Sequence, residues 1–261
     1  MARIISVVNQ KGGVGKTTTA VSLASILAEA GRLVLLVDMD PQGNATSGFG
    51  YNSRDMQKGL YEVLLGETDF RSIALDTIVR GCRLAPATMS LAGASVELVN
   101  MEQREFRLKM AFAEVDHVYD YIIIDCPPSL GLLTVNALAA SREVVIPVQA
   151  EYYALEGLGQ LVNTINLVRE NLNPDLSVLG VVLTMYDKRN RLSRDVMDEI
   201  YQHFPDRIFR SVIPRAVRLA EAPSHGKPIT LYDAGSKGAR SYEKLAREII
   251  ATESAPAQIK V

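Results

Sequence analysis

The sequence predicts an α/β fold with a mostly parallel, twisted sheet flanked by helices on both faces. Short runs rich in β-branched residues alternate with longer segments of helical periodicity along most of the chain. The apolar runs are nearly continuous, which is typical of strands covered on both faces. The 261 residues, 48% of them hydrophobic, are enough for one domain with a sizeable core. Together these observations indicate strand–helix–strand units around a buried sheet.

The individual elements follow from the same patterns in chain order. Arg3–Val8 predicts the first strand, Lys16–Glu29 a helix and Leu33–Asp38 a second strand. Four later runs predict further strands, the last of them an outer one: Tyr121–Asp125, Glu143–Val148, Val178–Thr184 and Ile208–Ile213. The other helical patterns are Gly59–Leu65, Met101–Val115 and Lys237–Ala251. Between Gly43 and Val118 the periodicity weakens, so strand order cannot be assigned there.

Residues 1–252 are predicted to form a single domain, with a flexible tail over residues 253–261. The N-terminus enters the first strand pattern without a signal peptide, and no apolar stretch reaches the roughly 18 residues that a membrane span needs. Cys82 and Cys126 lie in apolar runs, which indicates buried thiols in a reducing cytoplasm. The net charge of −2 excludes a globally basic nucleic-acid binder but allows a local basic face.

A glycine-rich segment, Lys11–Thr18, separates the first predicted strand from the first helix. Gln10 stands where the general phosphate-loop pattern has glycine, but the three remaining glycines let N–H groups curl around a phosphate at a helix N-terminus. Lys16 is expected to reach the β- and γ-phosphates, and the Thr17 hydroxyl to bind Mg²⁺. The predicted nucleotide contacts are Lys11, Gly12, Gly13, Val14, Gly15, Lys16, Thr17 and Thr18. The alternative is a plain glycine-rich turn. It would not explain why Lys16 and Thr17 occupy the lysine and threonine positions of the phosphate-loop pattern.

Two acidic strand ends complete the predicted site. Asp125 ends a buried strand, where a carboxylate can help to coordinate Mg²⁺ beside the phosphate loop. Alternatively, it caps the turn before Pro127. Asp38 and Asp40 end another strand, and an acid there can position the attacking water or contact the metal shell. A solvated strand end is the alternative for that pair.

Four motifs together resemble one known family. They are Lys11–Thr17 with its extra lysine, Asp38–Asn44, Ile124–Pro128 and Glu221–Ile229. In this combination the chain resembles the ParA/Soj partition ATPases of the ParA–MinD superfamily, which are phosphate-loop NTPases of the SIMIBI type. The motifs span nearly the whole chain.

The resemblance implies a homodimer that closes face to face around two ATP molecules, with Mg²⁺, and hydrolyses ATP slowly. Lys11 would then reach the partner's phosphates and stabilise the developing charge, whereas the alternative is a solvated loop lysine. Gly12 would lie where the partner approaches, Asp40 would position the water, and Pro214 would contact the adenine. The switch segments would be Asp38–Asn44 and Asp125–Leu130.

A basic segment, residues 188–218, is the candidate DNA-binding surface. It holds eight basic and four acidic residues, so its net charge is +4 and that of the remaining chain is −6. The resemblance implies sequence-independent double-stranded DNA binding by the ATP dimer and matches Arg189 and Arg218 to DNA contacts. The predicted contacts are Lys188, Arg189, Arg191, Arg215 and Arg218. A solvated helix face with internal ion pairs is the alternative.

The leading hypothesis is therefore a cytoplasmic, nucleoid-associated DNA-segregation ATPase whose hydrolysis is stimulated by a partner of the ParB/Spo0J type. A MinD-like positioning ATPase at a membrane surface is the alternative, but it needs a basic amphipathic C-terminal helix. The segment Ala251–Val261 has one lysine and a helix-breaking Pro256, so no membrane partner is expected. A non-hydrolysing scaffold for another cargo is a third possibility, which the retained acids disfavour.

Overall fold

The computed structural model describes residues 1–151, 154–204 and 206–253. Its sheet has seven strands: β1 Arg3–Val7, β2 Val34–Asp38, β3 Leu75–Asp76, β4 Cys82–Ala85, β5 Tyr121–Asp125, β6 Glu143–Gln149 and β7 Ser177–Thr184. Their order is β3-β4-β2-β5-β1-β6-β7. Every neighbouring pair is parallel except β3 and β4. The parallel strands therefore bring the loops that follow them to one edge of the sheet.

The described residues contain twelve α-helices. They are α1 Lys16–Glu29, α2 Asn44–Gly48, α3 Leu60–Leu65, α4 Phe70–Ile73, α5 Leu91–Glu97, α6 Arg107–Phe112, α7 Leu132–Ala140, α8 Ala154–Asn171, α9 Arg191–His203, α10 Val217–Glu221, α11 Ile229–Tyr232 and α12 Lys237–Ala251. Two short 3₁₀ turns cover Leu98–Asn100 and Ala222–His225. None of these helices is long and apolar enough to cross a bilayer.

Two apolar cores lie on opposite faces of the sheet. Along β5, Ile122 and Ile124 pack into one core, with side chains of α3 and α5–α9, whereas Tyr121 and Ile123 pack into the other, with α1 and α10–α12. This alternation follows from the two-residue period of a strand. Because each face buries a full row of side chains, the strands are apolar along their length, as predicted.

The first strand and the last helix are joined directly. The Arg3 guanidinium donates to the Ile249 carbonyl (2.8 Å) and to the Thr252 hydroxyl (2.8 Å), and it pairs with Glu143. Glu253, the first residue of the predicted tail, pairs with Arg32 and accepts a hydrogen bond from the Tyr121 hydroxyl. Glu253 is therefore part of the folded domain, and the predicted tail over residues 254–261 lies outside the described residues.

The predicted helix α1, strand β5 and helix α12 have their predicted bounds, and most other boundaries differ by a residue or two. Met101–Val115 is only partly helical. The Asn136 side chain accepts from the Leu108 N–H (3.1 Å) and donates to the Arg104 carbonyl (2.7 Å), so that α6 begins at Arg107.

The predicted outer strand Ile208–Ile213 is wrong. In the described part of the chain, this segment forms isolated bridges rather than a strand, at Val181–Ile208 and Tyr186–Pro214. Between the bridges, the N–H groups of Arg210 and Ser211 donate to the Glu248 carboxylate of α12 (both 2.8 Å). A side-chain acceptor thus replaces the strand partner and interrupts the ladder.

Candidate nucleotide site and basic cleft

The predicted phosphate loop and both acidic strand ends converge at the carboxyl edge of the sheet. Val7 of β1 pairs with Asp125 of β5, and Asp125 pairs with Asp38 of β2 on its other side. The Lys11–Thr18 segment leaves β1 at this edge and leads into α1. The site therefore lies where open parallel sheets bind ligands, outside the carboxyl ends of their strands.

The phosphate loop depends on two glycines in the left-handed backbone region. Gly13 has a φ of 76° and Gly15, the residue that caps α1, a φ of 90°. The capping residue Gly15 makes no side-chain hydrogen bond to the start of α1, which leaves N–H groups of the first turn for a ligand. This is the backbone geometry that binds a phosphate at a helix N-terminus.

Two buried polar side chains hold the loop in place. The Asn9 amide donates to the Pro147 carbonyl (2.7 Å) and its oxygen accepts from the Lys11 N–H (3.0 Å). The Thr184 hydroxyl donates to the Val14 carbonyl (2.8 Å). Neither residue was among the predicted site residues. The only signal was a polar residue at the end of an apolar strand, which does not identify its partner.

Lys16 is buried, and its ammonium donates to the Lys11 carbonyl (3.0 Å) within the loop. Burial lowers the pKa of Lys16, while the carboxylates of Asp125 and Asp40 oppose this shift. The cation is thus already inside the curve of the loop, where a bound phosphate would replace the carbonyl as its partner.

Asp125 has the environment of a metal-binding carboxylate. It is fully buried, and neither oxygen has a hydrogen-bond partner among the described residues. Burial, and then the charge of Asp38, raise the pKa of Asp125 well above its usual value, whereas Thr17 and Lys16 act in the opposite direction. A carboxylate without partners beside a hydroxyl and a phosphate loop is compatible with Mg²⁺, which takes oxygen ligands from one or two protein groups and from phosphates. Metal binding by Asp125 and Thr17 stays a prediction.

Asp38 differs from Asp125 because its oxygens already have donors. It accepts from the N–H (2.8 Å) and the hydroxyl (2.7 Å) of Thr46 and from the Asp40 N–H (3.2 Å). Burial raises the pKa of Asp38 to about 6, against the effect of these hydrogen bonds. Its contacts therefore position the loop that carries Asp40, whose own carboxylate accepts from the Gln42 N–H (3.0 Å). Direct contact between Asp38 and a metal stays a prediction.

A cavity of about 420 Å³ opens in front of the loop. The predicted site residues that line it are Gly12, Gly13, Gly15, Lys16, Thr17, Thr18 and Asp40. Pro214, the predicted adenine contact, lines an adjoining cavity together with Gly15 and Thr18. The two cavities share Gly15 and Thr18 in their linings. Adenine contact by Pro214 stays a prediction.

Lys11 lies outside this nucleotide cavity. It borders a separate depression next to Pro128 and Gln160, and its ammonium pairs with Glu151 at 3.4 Å. A Cβ built on Gly12 would meet no atom within 4 Å. The chain's own packing therefore does not require glycine at position 12.

The predicted DNA-binding residues fall into two groups. Lys188, Arg189 and Arg215 line one surface cleft, whereas Arg191 and Arg218 are not among its lining residues. The other cations in the cleft come from α12: Lys237, Arg240 and Lys244. We call these six side chains the basic cleft; its one acid, Asp187, pairs with Arg189 at 2.8 Å. The α12 residues were missed, although their spacing of three and four places them on one helix face.

Arg218 and Arg191 are paired within the chain. Arg218 contacts Glu221 (2.9 Å) and Asp233 (3.5 Å), and Arg191 lies 3.8 Å from Asp195. These exposed pairs contribute little stability, because water and salt screen them. DNA contact by either arginine remains a prediction.

Comparison with known proteins extends these observations to the whole chain. The family model described as AAA domain matches residues 2–178. Sporulation initiation inhibitor protein Soj of Bacillus subtilis (strain 168) is 57% identical over 251 residues, which are 96% of this chain and 99% of that protein. Chromosome-partitioning ATPase Soj of Treponema pallidum (strain Nichols) is 51% identical over 97% of this chain and 99% of that protein.

Solved structures agree with the fold. Cobyrinic acid a,c-diamide synthase from Mycobacterium smegmatis, with bound ADP and magnesium, superposes with a TM-score of 0.87 at 39% identity. The match covers 98% of this chain and 96% of that one. The predicted α/β class is confirmed, and the magnesium and adenine nucleotide of that structure agree with the predicted cofactors.

Proposed function

The chain belongs to the Soj/ParA family of chromosome-partitioning ATPases, and from this premise we propose that it is an ATP-controlled, DNA-binding switch. ATP and Mg²⁺ are its cofactors. The ATP-bound form is a homodimer that binds double-stranded DNA without sequence preference, and hydrolysis returns it to a form that releases DNA. The protein acts in the cytoplasm on the nucleoid.

Nucleotide binding uses the loop as it stands. The N–H groups around Gly13 and Gly15 would bind the phosphates, and the Lys16 ammonium, which now donates to the Lys11 carbonyl, would donate to phosphate oxygens instead. Thr17 and Asp125 would hold Mg²⁺, which would supply positive charge to the phosphate oxygens. Asp40, at the cavity wall, orients the attacking water. Holding these groups around one substrate would favour catalysis by positioning.

Dimerisation completes the site. Lys11 lies outside its own nucleotide cavity and is 35% exposed, which supports a role at a partner's phosphates. The open space around Gly12 leaves room for the partner's loop. A lysine that enters a water-poor phosphate site stabilises charge as an arginine finger does. A centromere-binding protein of the ParB/Spo0J type would accelerate hydrolysis by favouring this arrangement.

The basic cleft is the observation that carries the DNA-binding proposal. Six cations and one acid line it, on a chain whose net charge is −2. Such a local positive surface binds phosphates without reading bases. A dimer presents two clefts in one body, so that two weak contacts become one strong one. DNA binding then depends on ATP because dimerisation does.

The test is DNA binding to unrelated duplexes with ATP, with ADP and without nucleotide, over a series of salt concentrations. We expect tight, salt-sensitive, sequence-independent binding with ATP alone. Arg240→Ala should flatten the salt slope by about 1, as expected for one lost phosphate contact. Lys109→Ala, an exposed cation on α6, is the matched control and should leave the slope unchanged. ATP-dependent dimerisation without DNA binding would refute the DNA role and favour a MinD-like positioning ATPase.

A further inference from the structure

Glu151 lies two residues after the end of β6, at the carboxyl edge of the sheet, where backbone hydrogen bonds hold it. Its N–H donates to the Gln149 carbonyl (2.8 Å), and the preceding Ala150 N–H donates to the Thr184 carbonyl of β7 (3.2 Å). Because β1 and β6 are parallel neighbours, the segments that follow them leave the sheet side by side. The carboxylate of Glu151 is thereby placed next to the loop that begins with Lys11.

The Glu151 carboxylate contacts two cations with different expected roles. Oε2 lies 3.4 Å from the Lys11 ammonium, and Oε1 lies 3.8 Å from the Arg215 guanidinium. Oε1 also accepts a hydrogen bond from the Gln149 amide, which orients the carboxylate. One acid therefore holds the lysine expected to cross to a partner and an arginine of the basic cleft.

Lys11 can change partners without moving the loop. Its backbone N–H is fixed by Asn9 (3.0 Å), so that only the side chain must swing to leave Glu151. The Glu151 side chain is 46% exposed, which makes the ion pair a weak and reversible one. These are the properties of a latch that can open on each cycle.

We propose that Glu151 is a releasable latch that retains Lys11 within its own subunit and thereby opposes ATP-dependent dimerisation. The inference rests on the proposed function, because it assumes that Lys11 contributes to the partner's site. Each subunit must break its Lys11–Glu151 pair before the dimer can close. Glu151 thus disfavours dimerisation when the partner's site holds no phosphate that could bind Lys11.

The size of the effect follows from the exposure of the pair. Partly exposed ion pairs shift an equilibrium by a factor of about 1.4 to 5. Because two latches open for each dimer, their removal should tighten dimerisation by about 2- to 25-fold. The effect should shrink at high salt, since the screening length falls from about 8 Å at 0.15 M to about 3 Å at 1 M.

The experiment measures the dimer dissociation constant by sedimentation with a non-hydrolysable ATP analogue and Mg²⁺, without DNA. Glu151→Gln keeps the shape of the side chain and removes its charge, and we expect dimerisation about 2- to 25-fold tighter than in the wild type. Asp187→Asn is the matched control: it removes one negative charge beside the basic cleft, where Asp187 pairs with Arg189, and should change dimerisation by less than about 1.5-fold.

Unchanged or weaker dimerisation of Glu151→Gln, beside a wild type that dimerises, would overturn the latch and leave the proposed function intact. An equal gain in Asp187→Asn would also overturn it, because net charge would then explain both variants. A wild type that stays monomeric with the analogue would refute the proposed dimer itself, and the latch with it.

Discussion

Asp125→Asn should stabilise the nucleotide-free protein while it removes the effect of Mg²⁺. Asp125 is fully buried at the end of β5, and neither of its oxygens has a partner among the described residues. An asparagine has nearly the same shape but carries no charge. The substitution therefore removes the penalty of an unpaired buried charge and leaves the packing of the site unchanged.

The magnitude follows from the desolvation of the carboxylate. A neutral buried polar group without a partner costs about 1–3 kcal/mol, and a charged one costs more. The asparagine side chain of the variant keeps the neutral part of this cost, so we expect the free energy of unfolding to rise by about 1–2 kcal/mol at pH 8. For a domain of this size, that corresponds to an increase in Tm of about 2–8 °C.

The advantage of the variant should grow as the pH rises. The pKa of Asp125 is raised in the folded protein, so above about pH 4 the unfolded chain ionises this group first. The unfolded state then binds fewer protons than the folded state, and wild-type stability falls with increasing pH until the raised pKa is passed. The Asp125→Asn variant does not lose stability in this way, because its side chain does not titrate. The variant and the wild type should therefore be closest in stability near pH 4.

Thermal unfolding with and without ATP and Mg²⁺ measures both effects. Saturating ligand at about 100 times Kd should stabilise the wild type by about 2.7 kcal/mol, whereas Mg²⁺ should add nothing to ATP in Asp125→Asn. Asp198→Asn, an exposed acid on α9, is the control and should match the wild type. A variant less stable than the wild type at pH 8, or one that retains the full Mg²⁺ effect, would refute this account of Asp125.

Three further substitutions test other parts of the site. Asp40→Ala should trap the ATP dimer on DNA, because its carboxylate is expected to orient the water; hydrolysis at the wild-type rate would show that the assignment is wrong. Gly12→Val should leave ATP binding by the monomer intact and abolish dimerisation, since a side chain there meets open space in its own chain; a dimer seen by sedimentation would contradict this. Thr184→Val should lower the free energy of unfolding by about 1–3 kcal/mol, because it leaves the Val14 carbonyl unpaired. A loss below about 0.5 kcal/mol in denaturant would argue against that bond.

The sequence predicted what depends on local pattern. Continuous apolar runs located the core strands, and the glycine–lysine–threonine order located the phosphate loop. Strand β4, Cys82–Ala85, was not predicted, because it has only four residues and one of them is the charged Arg83. The error at Ile208–Ile213 had a different cause, since Glu248 of α12 takes the N–H groups that a strand would have used.

The supporting contacts of the site depend on residues far apart in the chain. Asn9 bonds to Pro147, Val14 to Thr184 and Lys11 to Glu151, across 138, 170 and 140 residues. No local pattern encodes such pairs, because they exist only once the sheet order brings β1, β6 and β7 together. The residues expected to bind the nucleotide could therefore be proposed from the sequence, whereas the side chains that hold them in place could not.

The bonds from Arg3 to Ile249 and Thr252 have a consequence for synthesis on the ribosome. They join residues up to 249 positions apart, and α12 also covers α1, where the Tyr242 and Thr19 hydroxyls share a hydrogen bond (3.0 Å). A nascent chain therefore cannot cover this face of α1 until the residues of α12 have also been made. Until then the apolar face of α1 stays open to other molecules, and this stage is when a growing chain most needs a chaperone.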